Sequence, residues 1–64
     1  MLLKEDCISI INTFFDMGIL VKEIENIIYG WDKQRIINPD ERVELLTYVK
    51  EKSKSLKEIA YGEH

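Results

Sequence analysis

Apolar and polar positions alternate along this chain with helical periods, and the pattern divides it into three stretches. From Leu2 to Met17 the apolar residues fall at 3, 7, 10, 11 and 14, with Ile8 and Phe15 widening the stripe. Asp6, Ser9, Asn12, Thr13 and Asp16 share the opposite side. That is a period near 3.6 with a broad buried face. The β-branched residues Ile8, Ile10 and Ile11 would suit a strand, but strict alternation fails at 10–11 and 14–15, so a helix over about 2–17 is predicted. Gly18 then stands where a helix ends in a left-handed residue.

A second helix is predicted over about 20–29. Leu20 or Val21, Ile24, Ile27 and Ile28 face inward, Lys22, Glu23, Glu25 and Asn26 outward, and Gly30 marks its end. No Ser, Thr, Asp or Asn precedes it, so packing must fix its start instead of a side-chain cap. Residues 31–37, WDKQRII, are the least legible, although Trp31, Ile36 and Ile37 are apolar enough to lie over the core. The third start is the best marked. Asn38 is placed as N-cap, Pro39 at the first helical position, Asp40 in the first turn, and Glu41 at capping-box spacing. A long helix follows over about 39–60, with 61–64 as a frayed tail. The expected class is all-α: one three-helix domain spanning 1–64, a helical hairpin followed by a long capped helix.

Leu45, Leu46, Val49, Leu56, Ile59 and Ala60 form one stripe on the third helix, interrupted by Lys52 and Ser53. At 1.5 Å per residue this helix is about 33 Å long against about 24 Å for the first, so it overhangs the pair it packs on. A chain of 64 residues buries only about 60% of its unfolded surface and needs reinforcement. Cys7 is the only cysteine and His64 the only histidine, which leaves neither an internal disulfide nor a Cys/His zinc site within one chain. A homodimer is therefore expected. Its seam is assigned to Leu45, Leu46, Tyr48, Val49, Ser53, Leu56, Ile59 and Ala60. Trp31 and Tyr48 are the aromatic anchors for a partner.

Composition narrows the function further. The longest uncharged run, Cys7 to Phe15, is too short for a membrane span, and a cytoplasmic location without membrane contact is expected. Ten isoleucines with abundant Lys, Glu and Asn fit an AT-rich bacterial or phage coding sequence. The net charge is −3 and unevenly spread: residues 1–30 carry Lys4 and Lys22 against five acids, while the remainder balances. A duplex-DNA reader normally shows a basic face, so nucleic acid is disfavoured. Lys50, Lys54 and Lys57 are candidate phosphate contacts, but interleaved acids pair with them at helical spacing. Cys7 on the apolar stripe reads as a small core residue. Neighbouring acids such as Glu5/Asp6 point to different sides of a helix and do not form a general acid/base pair. With no phosphate loop and no Ser/His or Cys/His pairing, no catalytic, metal or cofactor residue is assigned and an enzyme is not expected.

Ile8, Ile11, Met17-Gly18-Ile19, Val21, Glu23-Ile24 and Ile27-Ile28 together resemble the helical hairpin of MerR-type transcription regulators. Over residues 8–60, the resemblance implies a short hairpin followed by a long helix that forms an antiparallel coiled coil across a dimer. That family's winged helix-turn-helix would precede this segment, so the implied object is a dimerising fragment without its DNA reader. Leu20 replaces the family's usual Ser or Thr cap. No cysteine lies near the start of the third helix, so Cys7 inherits no metal-sensing role. The expected function is a non-enzymatic regulatory or adaptor protein acting through helix-mediated binding to itself and to another protein. The alternative is a DNA-associated regulator, alone or with a second chain.

Overall fold

The computed structural model describes the backbone of residues 3–61 and the side chains of residues 3–56. Among the described residues it is all-helical: α1 (Lys4–Asp16), α2 (Val21–Lys33) and α3 (Pro39–Tyr61). Residues 2 and 62–64, which carry the expected start of the first helix and most of the expected tail, lie outside the described residues; Tyr61 belongs to α3.

Among the described residues each helix contributes one pair of buried residues four apart: Cys7 and Ile11 from α1, Ile24 and Ile28 from α2, Leu45 and Val49 from α3. Spacing by four puts both members of a pair on one face. Ile37, in the α2–α3 connection, completes the core. Ile8, Phe14, Phe15, Ile19, Val21, Trp31, Ile36, Leu46 and Tyr48 pack around it, partly buried. The expected covering role of residues 31–37 is thus met by Trp31, Ile36 and Ile37.

The first corner follows the sequence pattern. Gly18 holds φ +77, its N–H donates to the Phe15 carbonyl at 3.0 Å, and the Ile19 N–H donates to the Phe14 carbonyl at 3.0 Å. These two bonds make a Schellman ending, in which carbonyls left free at the helix terminus are satisfied by residues just beyond it. As expected, α2 begins without a side-chain cap: the Leu20 backbone carbonyl accepts from Glu23 and Ile24, both at 3.0 Å.

The end of α2 is a correction. The helix does not stop at Gly30; it runs through it to Lys33. One glycine inside a helix costs about 1 kcal/mol relative to alanine, which tertiary packing can outweigh. Trp31 extends the Ile24–Ile28 face onto the core, and Asp32 accepts from Arg42 of α3 at 2.9 Å. A second Schellman ending follows, with Arg35 N–H to Asp32 carbonyl at 3.0 Å and Ile36 N–H to Trp31 carbonyl at 2.8 Å. Its left-handed position is filled by Arg35 at φ 62.

The third start is as read. The Asn38 side-chain oxygen accepts from the Glu41 N–H at 2.8 Å, and a Glu41 carboxylate oxygen accepts from the Asn38 N–H at 3.1 Å. This is the reciprocal capping box, with Asn in place of Ser or Thr.

Contacts between helices set their directions. Lys4 of α1 pairs with Glu44, and Asn12 meets Tyr48 and Lys52, so α1 and α3 run the same way. Asp32 near the end of α2 meets Arg42 near the start of α3, so α2 runs against α3. The α2–α3 pair is the most extensively packed of the three.

Candidate interaction surface

α3 has 23 residues and its two companions 13 each, about 34 Å against about 20 Å. Its core-facing line begins with Leu45 and Val49, both fully buried. Lys52 follows on that line, partly buried. Its Nζ donates to the Asn12 side-chain oxygen at 2.8 Å and lies 5.4 Å from the centre of the Phe15 ring. Tyr48 OH donates to the same oxygen at 2.6 Å. One amide carbonyl of α1 thus accepts from two side chains a turn apart on α3. Its two lone pairs permit this, and the shared acceptor fixes α1 against the flank of α3.

From Lys54 to Leu56 the described side chains of α3 lie open. Ser53 before them is partly buried, and the helix continues to Tyr61. Leu56 lies on the helical line of Leu45 and Val49, yet 47% of its surface is accessible.

Alongside α3, facing out past α1, runs an open groove. Its upper part is lined by Ile8, Val43, Thr47 and Tyr48 beside the Lys4–Glu44 ion pair. Through Tyr48 and Glu51 it continues into a lower part formed by Lys52, Ser55 and Leu56.

The expected seam is redistributed by this geometry. Leu45 and Val49 lie fully buried in the chain's own core. Periodicity identified a face that must be buried, and α1 and α2 bury it. Leu46, Tyr48 and Trp31 are partly buried against the core, and Ser53 is partly buried at the edge of the cover. Leu56 remains open. Lys50 and Lys54 are exposed. The side chains of Lys57, Ile59 and Ala60 lie outside the described residues. Ile8, Val43 and Thr47 in the groove, and Asn12 as the acceptor for Tyr48 and Lys52, depend on how α1 sits along α3, which no local pattern encodes.

Cys7 is buried, and its thiol is pushed above the ordinary value by that burial, then by the Glu41 and Asp6 carboxylates. A thiol held protonated is a poor nucleophile. Among the described residues, no group of three or more His, Cys, Asp or Glu side chains converges as a metal site, and no buried side-chain polar atom lacks a partner. Nor is any described helix long and apolar enough to cross a membrane. No family model, curated protein or solved structure matches this chain.

Proposed function

We propose that the chain is a non-enzymatic regulatory or adaptor module that forms a homodimer through α3 and binds another protein by helix-mediated contact. It works in the cytoplasm and needs no cofactor. Leu56 carries the reading. A large apolar side chain on the stripe of Leu45 and Val49, 47% exposed on a helix that continues to Tyr61, suits association better than solitary exposure. The chain's size adds support, because a single core this small supplies little stability. Leu56→Glu shifts the dimer to monomer in sedimentation equilibrium; a dimer of undiminished affinity would remove Leu56 from the seam.

A DNA-associated regulator, a reduced MerR-like form acting alone or with a second chain, is the second reading. It is favoured by exposed Lys50 and Lys54 on α3, which a dimer would double. Interleaved Glu51 and the net charge of −3 weigh against it. A mobility-shift titration on random duplex separates the two readings, since a phosphate binder gains affinity steeply as salt falls. No binding at low salt removes the DNA reading.

A further inference from the structure

We infer that two copies of this chain pair antiparallel along the Tyr48–Ser55 flank of α3, with the two-fold axis passing between Glu51 and Lys52. This rests on the dimer proposed above and specifies which flank forms it and in what register.

The core face of α3 is occupied within one chain, so a second copy must meet a flank. The lower groove is lined by Tyr48, Glu51, Lys52, Ser55 and Leu56, and its chemistry is self-complementary under a two-fold axis. Antiparallel pairing about the midpoint sets Glu51 opposite the partner's Lys52 and Lys52 opposite the partner's Glu51. The same operation sets Tyr48 opposite the partner's Ser55, an aromatic ring against a small side chain that lets the helices approach to about 8–10 Å. It also brings Leu56 to the partner's Thr47, beside the partner's Ile8 and Val43 in the upper groove. Leu56 at 47% and Val43 at 55% exposure are the two large apolar side chains of α3 that stand exposed among the described residues, and this register covers both. Every contact occurs twice, as an isologous interface requires.

The side chains are prepared for this. The Tyr48 ring is held by its hydrogen bond to Asn12. Lys52 uses one of its three protons on Asn12 and keeps donors for a carboxylate. Glu51 is exposed and belongs to neither of the ion pairs among the described residues.

Charge reversal tests the register. Glu51→Lys and Lys52→Glu each place like charges opposite one another twice, and each should weaken the dimer about tenfold or more by sedimentation equilibrium. An equimolar mixture of the two variants should regain affinity, because each chain then meets its opposite. Ser55→Arg, at a site exposed in the single chain, should also dissociate the pair and keeps the test decisive if Lys52→Glu fails to fold. Circular dichroism verifies that each variant is helical. A parent dimer indifferent to Glu51→Lys and Ser55→Arg would overturn this seam while leaving the dimer itself standing. A monomeric parent would overturn both.

Discussion

Gly30 and Arg35 occupy each other's natural places. Glycine, the residue that best tolerates positive φ, sits inside α2, while the left-handed ending after α2 falls to an arginine at φ 62. A Cβ added at Gly30 would meet nothing within 4 Å. Gly30→Ala should therefore stabilise the fold by about 1 kcal/mol. Arg35→Gly removes a left-handed strain of about 1–2 kcal/mol but adds about 0.5–1 kcal/mol of unfolded-chain entropy. The smaller gain, roughly 0.5 kcal/mol, belongs to it. Urea midpoints of the two variants check both sign and order. This pair also explains why the end of α2 is illegible: the glycine stands five residues before the left-handed position that ends the helix, and Arg35 there carries no signal at all. Cys7 gives a second test at this scale. Its folded pKa is raised, whereas the unfolded thiol titrates near about 8.5. Below that pH both states keep the proton and its contribution is complete. Above it the unfolded chain releases a proton that the folded chain retains, so stability falls as pH rises. Cys7→Ala should flatten that part of the urea-midpoint profile between neutral and alkaline pH, and a thiol reagent should label the parent only as it unfolds.

At the scale of the elements, legibility followed the terminal chemistry. The Gly18 turn and the Asn38–Glu41 box are local arrangements written within a few residues, and both stand where the pattern put them. Asn38→Ala removes the acceptor of the Glu41 N–H at the start of the longest helix. It should cost about 1 kcal/mol, read as a lowered melting temperature and earlier amide exchange in the first turn of α3. What the pattern left open is what each face meets. Leu45 and Val49 were correctly recognised as stripe residues, but a stripe does not say whether its cover comes from the same chain or another. The Asn12 contact to Tyr48 and Lys52 spans some forty positions, and polar residues on two helices give no indication that they will share a proton acceptor. For the same reason, Lys52 read as an interruption of the stripe. Its stem lies along the core edge and its charge sits over Phe15, a placement that long cationic side chains favour.

At the scale of the whole molecule, the helices are mismatched in length. α3 outruns α1 and α2 by ten residues, and the last described side chain on its core line, Leu56, is open. Among the described residues the core holds seven buried side chains, one of them a cysteine, which is small for independent stability, and a second copy would add burial. Sedimentation equilibrium of the unmodified chain across the micromolar range tests this most directly. A monomer–dimer equilibrium reaching twice the 7.6 kDa chain mass is expected, with thermal stability that rises with protein concentration. A single species at the chain mass throughout, melting at a temperature independent of concentration, would contradict it.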